Sequence, residues 1–337
     1  MLISFVTMPV APAAAICRVE KGAAMMDAQA DVCRRLGFTE HTVRLGKSRI
    51  NIHYVEAGKG ETVLFLHGFP EFWYGWKDQL AALGKSRHAV AMDMRGYNLS
   101  DRPADLASYR IPLLVEDVRE LLEHLSHGRR AVLVGHDWGG VIAWAFALAH
   151  PDYLDKLVII NAPHPAIFMR ELASNPDQQR ASAYMNLFKS PGAEAILSAD
   201  NYRMLANAVL GSSTKPHAFT EEDRRAYLEC WSRPGGLTGG LNYYRASGIG
   251  PPAHSSQASA HSDILEMVPT LDVKTPTLVI WGMKDTALLP GNLRGLEKYV
   301  PHLTVKEIPD ASHWVAHEEP EVVNEAIEEF LEGKPVR

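Results

Sequence analysis

The sequence predicts an α/β fold in which helices flank a mostly parallel eight-stranded sheet and a helical cap interrupts the chain. Short apolar runs of strand length recur along the sequence, as expected of strands that are covered on both faces. Segments with apolar residues at helical spacing separate these runs. Such alternation of strand and helix is typical of parallel sheets, and it stops after Asn161 and resumes near Thr275.

The strands follow from local patterns in chain order. A hairpin opens the sheet, because residues 42–45 and 49–55 partly alternate between apolar and polar around a Gly-Lys-Ser turn. Continuous apolar runs predict the strands that follow, at 62–66, 88–92, 131–134, 156–160, 277–281 and, more weakly, 303–308. Apolar residues at helical spacing predict helices over 114–125 and 322–331.

These patterns divide the chain into three regions. Residues 1–37 are expected to form a poorly ordered N-terminal extension. Residues 38–163 and 268–337 are expected to form the core that contains the sheet, and residues 164–267 the helical cap. The cap sequence is rich in Tyr, Met, Ala and Pro, and its Gly-, Pro-, Ser- and Ala-rich tail at 248–261 predicts a return loop to the core.

Composition and charge exclude several classes of protein. Hydrophobic residues make up 46% and charged residues 22% of the 337 residues, the usual balance of a globular protein. The net charge is -6, and the scattered Lys and Arg residues offer no basic face to nucleic acid. Apart from the apolar N-terminal stretch 1–17, no apolar run approaches the roughly 20 residues that a membrane span needs. We therefore expect an enzyme whose partners are small molecules.

The cysteines and the N-terminus bear on the cellular compartment. Cys17, Cys33 and Cys230 are too few and too widely spaced for a disulfide framework or a zinc site, which favours free thiols in a reducing compartment. The apolar stretch 1–17 contains Ala-Pro-Ala-Ala-Ala, a feature of secretory signals, but no positive charge precedes it. The expectation is a cytoplasmic protein, with a signal segment as the alternative. The sequence leaves the oligomeric state open, a homodimer included.

The sharpest chemical signal is Gly-His-Asp-Trp-Gly-Gly at 135–140, between the strand at 131–134 and a helix of small residues at 139–149. This pattern predicts a nucleophile elbow, a sharp strand-to-helix turn that exposes its central side chain and needs glycines for close packing. The central residue is Asp137, whose carboxylate would lie at a helix N-terminus that favours the ionised, nucleophilic form. Asp137 is therefore the predicted nucleophile, and a simple helix cap is the alternative.

Two further residues complete a catalytic triad. A carboxylate that attacks carbon leaves an ester, and hydrolysis of that ester needs a base to activate water. Asp285 follows the strand at 277–281, and His313 follows the strand at 303–308. Nucleophile, acid and histidine thus appear in the chain order of α/β-hydrolases, at the exits of three strands. We expect His313 to act as the base and Asp285 to orient it.

The oxyanion that forms during ester hydrolysis needs two backbone N–H donors. In such folds one comes from the residue after the nucleophile and the other from the loop after the third strand. Here these residues are Trp138 and Phe69, and Gly68 permits the tight backbone that points the Phe69 amide inward.

Three segments together resemble the α/β-hydrolase-fold epoxide hydrolases of the soluble epoxide hydrolase type. They are His-Gly-Phe-Pro-Glu-Phe-Trp-Tyr-Gly-Trp at 67–76, the elbow at 135–140, and Asn-Ala-Pro-His-Pro at 161–165. The resemblance covers nearly all of the chain after about Phe38, and it implies the α/β-hydrolase fold. One departure is Asn98, where the family usually has Gly, but Asn tolerates positive φ.

The resemblance also implies two cap tyrosines that hold and protonate the epoxide oxygen. Tyr184 matches the first, since it precedes a Phe-x-x-Pro-Gly segment, and Tyr244 matches the second, within Asn-Tyr-Tyr-Arg at 242–245. If this segment is helical, Tyr243 points about 100° away from Tyr244, so only one of the two faces the nucleophile. The family pattern favours Tyr244.

The implied activity is conversion of epoxides to vicinal diols, a detoxification reaction. The alkyl ester would form on Asp137 and be hydrolysed by water that His313 and Asp285 activate. No cofactor and no metal is expected: the pairs His124 and His127, and His313 and His317, lack a third ligand at suitable spacing.

Two alternatives remain. A haloalkane or haloacid dehalogenase uses the same ester chemistry, but the families that this chain resembles commonly bind halide with an Asn or Arg at the positions held here by Phe69 and Trp138. Phenols instead suit an epoxide oxygen, which must gain a proton as the ring opens. A non-catalytic small-molecule binder on the same fold is the second alternative, because fold alone does not establish activity.

Other polar and aromatic residues near these motifs are expected to be structural. Glu71 should lie at the cleft rim or on the surface, because charged residues near turns are usually solvated. His164 should shape the loop into the cap. Trp73, Trp76 and Trp231 are expected to pack in the interior.

Overall fold

The computed structural model describes residues 28–251 and 263–336. In these residues one sheet contains eight strands: β1 Thr39–Arg44, β2 Asn51–Ala57, β3 Thr62–Leu66, β4 His88–Met92, β5 Ala131–His136, β6 Leu154–Ile160, β7 Thr277–Gly282 and β8 Leu303–Ile308. Their order across the sheet is β1-β2-β4-β3-β5-β6-β7-β8. The strands β1 and β2 pair antiparallel, β2 pairs antiparallel with β4, and every later pair is parallel.

Helices cover both faces of the sheet and form the cap. The α-helices of the described residues are α1 Ala28–Leu36, α2 Lys77–Leu83, α3 Ile111–Ser126, α4 Trp138–Ala149, α5 Pro165–Ser174, α6 Pro176–Ala181, α7 Tyr184–Lys189, α8 Ala193–Val209, α9 Glu221–Ser232, α10 Gly236–Ser247, α11 Asp263–Met267, α12 Val315–Glu318 and α13 Pro320–Leu331. None of these helices is long and apolar enough to cross a membrane, within the described residues.

Burial explains the apolar runs of the central strands. Every residue of β3, β5 and β7 is buried, whereas the edge strands β1 and β8 contain exposed and partly buried residues, with only Ile308 of β8 buried. A strand that is covered by helices on both faces has no solvated side to carry polar residues. The predicted α/β fold with a mostly parallel eight-stranded sheet is therefore confirmed.

The cap leaves the core at the end of the sheet that carries the predicted triad. The strand β6 ends at Ile160 and β7 begins at Thr277, and helices α5 to α11 lie between these two strands in the chain. Since β5, β6 and β7 are parallel, the loops that follow them meet at one edge, where ligands of open α/β sheets bind. The division into core and cap at residues 163/164 and 267/268 remains a prediction.

The N-terminal region differs from our expectation of a poorly ordered segment 1–37. Residues 28–36 form helix α1, with Val32 fully buried and Cys33 only 4% exposed. Arg35 pairs with Glu222 of α9 in the cap, 2.6 Å apart. Contacts with the cap thus stabilise a helix too short to be stable alone. Residues 1–27, with Cys17 and the suspected signal segment, and residues 252–262 of the return loop lie outside the described residues.

Candidate active site

Asp137 lies at the turn between β5 and α4 with an unusual backbone conformation. Its φ of 48° and ψ of -120° place a non-glycine residue at positive φ, a strained geometry that is found mostly at functional sites. Helix α4 can approach the sheet only because residue 139 is Gly, since a Cβ there would collide with the carbonyl oxygen of Leu66. The predicted sharp turn is present, and it directs the Asp137 side chain away from the sheet.

The loop after β3 brings a backbone donor to this carboxylate. The Phe69 amide donates to Oδ1 of Asp137 at 2.8 Å. Gly68 has no room for a side chain, because a Cβ would collide with the Asp137 side chain. Trp138, the other predicted donor, begins α4, where backbone amides lack an intrahelical acceptor. Both residues predicted for the oxyanion hole therefore lie beside Asp137.

His67 fixes the shape of the same loop. Its Nδ1 donates to the carbonyl of Gly68 at 2.8 Å, and its Nε2 accepts from the Met94 amide at 3.0 Å, which requires the neutral ring. Complete burial lowers the pKa of His67, so the neutral form is favoured.

The predicted acid and base lie together opposite Asp137. His313 Nδ1 is 2.7 Å from Oδ2 of Asp285, and His313 Nε2 is 3.8 Å from Oδ2 of Asp137. The side-chain amide of Asn161 donates to the same Asp285 oxygen at 2.7 Å. The backbone amides of Ala287 and Leu288 donate to Oδ1 at 2.8 and 2.9 Å. Asp285 is thus fully hydrogen-bonded, and it holds His313 with one ring nitrogen directed at the carboxylate of Asp137.

The charges of this group stabilise one another. Burial disfavours the charged form of Asp285. The charge of His313 and the hydrogen bonds from His313, Leu288 and Asn161 together outweigh burial and lower the pKa of the carboxyl below its usual value. Burial likewise opposes protonation of His313, yet Asp285 and then Asp137 raise its pKa above the usual value. The negative charge of Asp137 therefore contributes to the basicity of His313.

Two tyrosines of the cap lie near Asp137, and the ring of Tyr244 is 5.1 Å from the ring of Trp138. The rings of Tyr184 and Tyr244 lie 6.4 Å apart, and Phe188 contacts both, at 5.2 and 5.1 Å. Burial and the charge of Asp137 raise the pKa of each phenol well above its usual value, so both hydroxyls keep their protons. The neighbouring Tyr243 instead donates to the carbonyl of Arg95 at 2.8 Å, away from the nucleophile.

Glu71 was expected at the rim or surface, and this expectation is wrong. The residue is 3% exposed and lies in a buried cluster. Its carboxylate is 2.7 Å from Nε2 of His317 and 3.2 Å from Nδ1 of His136, and it accepts from the Tyr227 hydroxyl at 2.5 Å. The partners are distant in sequence, so only the folded chain brings them together. The cluster joins the cap, through Tyr227, to the core.

The remaining expectations concern packing and metals. Trp73, Trp76 and Trp231 are buried, at 0%, 2% and 3% exposure, as expected. His164 is also buried, and it stacks on Tyr299 at the start of the cap. Across 28–251 and 263–336, no group of three or more His, Cys, Asp or Glu side chains is arranged to hold a metal ion.

Comparison with known sequences places this chain in a family. The family model described as alpha/beta hydrolase fold matches residues 61–320. The chain is 39% identical to the AB hydrolase superfamily protein YfhM of Bacillus subtilis, over 85% of this chain and 96% of that protein. It is 35% identical to epoxide hydrolase 4 of Mus musculus, over 88% of this chain and 80% of the relative.

Solved structures agree with the sequence relatives. An epoxide hydrolase of Bacillus megaterium, in complex with an inhibitor, superposes with a TM-score of 0.80 at 37% identity, over 87% of this chain and all of that one. Epoxide hydrolase I of potato (Solanum tuberosum) gives a TM-score of 0.73 at 27% identity, over 88% of this chain and 99% of that one. This chain belongs to the epoxide hydrolase family of enzymes with the α/β-hydrolase fold.

Proposed function

We propose that this enzyme hydrolyses epoxides to vicinal diols through a covalent ester on Asp137. One observation carries the proposal: the carboxylate of Asp137 occupies the elbow, 3.8 Å from His313 of the His–Asp pair and near the two phenols of Tyr184 and Tyr244. The carboxylate supports attack on carbon, the phenols support an oxygen leaving group, and the His–Asp pair supports hydrolysis of the ester.

In the first step, Oδ2 of Asp137 attacks a ring carbon of the epoxide. The C–O bond of the ring breaks, and Tyr184 and Tyr244 hydrogen-bond the departing oxygen and supply its proton. Oδ2 is suited to the attack because the Phe69 amide already holds Oδ1. Oδ1 then becomes the carbonyl oxygen of the ester.

In the second step, His313 removes a proton from water, which attacks the ester carbonyl. The amides of Phe69 and Trp138 stabilise the negative charge that develops on Oδ1. The bond between the carbonyl carbon and Oδ2 breaks, and the second proton of the attacking water passes to Oδ2. The diol then leaves with that oxygen, and a carboxylate forms again. The proton taken up by His313 returns to the phenol that lost its own. Esterification removes the charge of Asp137 next to His313, so the pKa of His313 falls as its role as a base begins.

Replacement of His313 by Gln tests this proposal directly. Without the base, the ester should accumulate, and intact-protein mass spectrometry after addition of styrene oxide should show one substrate-mass adduct. Peptide mapping should place the adduct on Asp137. An adduct elsewhere, or turnover near the wild-type rate by Asp137→Ala, contradicts the proposal.

We further propose a cytoplasmic location, which remains a prediction from the sequence.

The same chemistry in a dehalogenase would release halide. Wild-type enzyme is expected to turn over epoxides and to release no chloride from chloroalkanes of similar size, because the phenols supply a proton that a halide does not need. Chloride release at a comparable rate would favour the dehalogenase. A binder would show neither turnover nor an adduct.

A further inference from the structure

One amide side chain in the cap has all of its hydrogen-bonding capacity in use. Gln178 of α6 is completely buried. Its Nε2 donates to the carbonyl of Ala287 and to the hydroxyl of Ser182, both at 2.8 Å. Its Oε1 accepts from the amide of Leu289 at 3.0 Å and from the side chain of Asn292 at 2.9 Å. A primary amide can donate two hydrogen bonds and accept two, so no other side chain of this length satisfies all four partners.

Three of these partners belong to the loop that orients Asp285. The amides of Ala287 and Leu288 bind Oδ1 of Asp285. Gln178 binds the backbone at Ala287 and Leu289, on both sides of Leu288. It therefore holds the loop segment that fixes the carboxylate, and this carboxylate in turn holds His313.

The fourth partner leads to the proposed proton donor. Ser182 is fully buried between α6 and α7, and its carbonyl accepts from the amide of Met185 at 3.1 Å, in the first turn of α7. Tyr184 is the first residue of α7. The hydrogen bond from Gln178 to the Ser182 hydroxyl thus fixes the point from which the Tyr184 helix begins.

We propose that Gln178 is a positioning residue that holds the Tyr184 helix and the Asp285 loop in a fixed relation. The Gln178 side chain thereby aligns Tyr184, which assists ring opening, and Asp285, which orients the base, with the same nucleophile. This inference rests on the proposed function, because it assigns a task to residues whose roles are proposed there.

The first test replaces Gln178 by Met, which keeps the length of the side chain and removes all four hydrogen bonds. Stopped-flow and quench measurements with styrene oxide should show alkylation and ester hydrolysis each slowed by about tenfold, since misplacement of reacting groups by about 1 Å costs up to about 100-fold. Gln179→Met is the matched control: Gln179 donates to the carbonyl of Leu172 at 2.8 Å, within the cap. Its rates should stay within about twofold of wild type, as for substitutions outside catalytic contacts.

A double-mutant cycle separates positioning from general loosening of the cap. In a Tyr184→Phe background the hydroxyl that Gln178 aligns is gone, so Gln178→Met should slow alkylation much less than in wild type. The effect on hydrolysis should persist in both backgrounds, because it acts through Asp285. Equal losses of alkylation in both backgrounds would overturn the link to Tyr184.

Ser182→Ala provides a milder variant in case Gln178→Met does not fold. It removes only the hydrogen bond from Gln178 that leads to the Tyr184 helix, so alkylation should slow while hydrolysis stays at the wild-type rate. If Tyr184→Phe alone leaves alkylation unchanged, the tyrosine assignment of the proposed function fails. If Tyr184→Phe slows alkylation but Ser182→Ala and the folded Gln178→Met do not, the inference about Gln178 alone is wrong.

Discussion

Asp137 and Asp285 are both buried carboxylates, but their surroundings differ. Asp285 accepts four hydrogen bonds, including one from His313 and one from Asn161. Asp137 has the Phe69 amide on one oxygen and its other oxygen open toward His313. A carboxylate with all of its lone pairs occupied is a poor nucleophile, whereas one with an open oxygen can attack carbon. The contacts therefore distinguish the orienting acid from the proposed nucleophile.

The first prediction concerns the pH dependence of ester hydrolysis. His313 must be neutral to accept a proton, so the rate should rise with pH until the pKa of His313 is passed. In the free enzyme, burial lowers this pKa, but Asp285 and Asp137 raise it to about 9. In the alkyl-enzyme the charge of Asp137 is absent, so the pKa is lower and Asp285 is the main group that raises it. In Asp285→Asn, His313 stays buried but loses the negative charge that contributes most to raising its pKa. The pH profile should therefore shift to lower pH, with a plateau that is lower by up to about 10,000-fold.

Single-turnover hydrolysis rates between pH 5 and pH 10, with alkyl-enzyme formed beforehand, provide the measurement. Asp310→Asn is the control, because Asp310 is an exposed residue paired with Lys284 at the surface. Its profile should coincide with that of wild type. An unshifted profile in Asp285→Asn would mean that Asp285 does not control the basicity of His313.

Individual site residues differed in how well the sequence predicted them. Asp137, Asp285 and His313 each follow a strand, and parallel strands end at one edge, so their proximity could be inferred from local patterns alone. Asn98 adopts positive φ, 41°, as expected for a residue that replaces Gly. Glu71 and Gln178 were missed because the partners that justify their burial lie up to 246 residues away in the chain. No local pattern identifies such residues.

At the scale of the element, the helices α7 and α10 supply the tyrosines. The second prediction is that Tyr184→Phe and Tyr244→Phe each slow alkylation partially, because the remaining phenol can still bind the epoxide oxygen. The double variant should lose on the order of 100-fold to 10,000-fold, the usual contribution of general acid catalysis. Tyr243→Phe should alkylate at nearly the wild-type rate, since its hydroxyl contacts Arg95 instead.

Pre-steady-state alkylation rates of the four variants test this, with circular dichroism as the check on folding. Phenylalanine keeps each ring in place and removes only the hydroxyl. A folded double variant that alkylates at close to the wild-type rate would refute the tyrosine assignment and restore the dehalogenase as a candidate.

Elements were predicted best where burial was continuous. The predicted bounds of β3, β4 and β8 match those observed, whereas the edge hairpin β1 and β2 differs by two or three residues at several ends. The hairpin strands alternate only weakly, so their register depends on pairing with each other and with β4. Helix α1 was missed altogether, because so short a helix depends on contacts with distant segments. Arg35 pairs with Glu222 of the cap, and Gln29 hydrogen-bonds Asn98 and Trp73 of the core.

At the scale of the whole molecule, the Glu71 cluster joins cap and core. The carboxylate contacts His136 beside the elbow, His317 in α12 and Tyr227 in α9. Burial disfavours its charge, but His317 and His136 outweigh burial and hold the pKa of Glu71 well below its usual value. The ionised Glu71 carboxylate therefore contributes to the stability of the folded state at neutral pH.

The third prediction follows from this depressed pKa. Glu71→Gln should lower the free energy of unfolding at pH 7 by about 1.5–3 kcal/mol, the range for hydrogen bonds to a charged group. The difference from wild type should be complete above the usual glutamate pKa of about 4.3 and decline as pH falls toward the lower folded value. Urea unfolding of both proteins at pH 7, 5, 4 and 3 measures this difference. A difference that stays constant to pH 3 would exclude an ionised Glu71, and Tyr227→Phe should show a smaller loss.

The two oxygens of Asp137 are not interchangeable, because the Phe69 amide binds Oδ1 while Oδ2 faces His313. In the proposed mechanism Oδ2 departs in the diol, and the oxygen of the attacking water replaces it. Each diol therefore carries an oxygen atom from the water consumed one catalytic cycle earlier. Oδ1 remains in the protein throughout. One carboxylate oxygen of Asp137 is therefore exchanged for a water oxygen in every cycle, while the other is never exchanged.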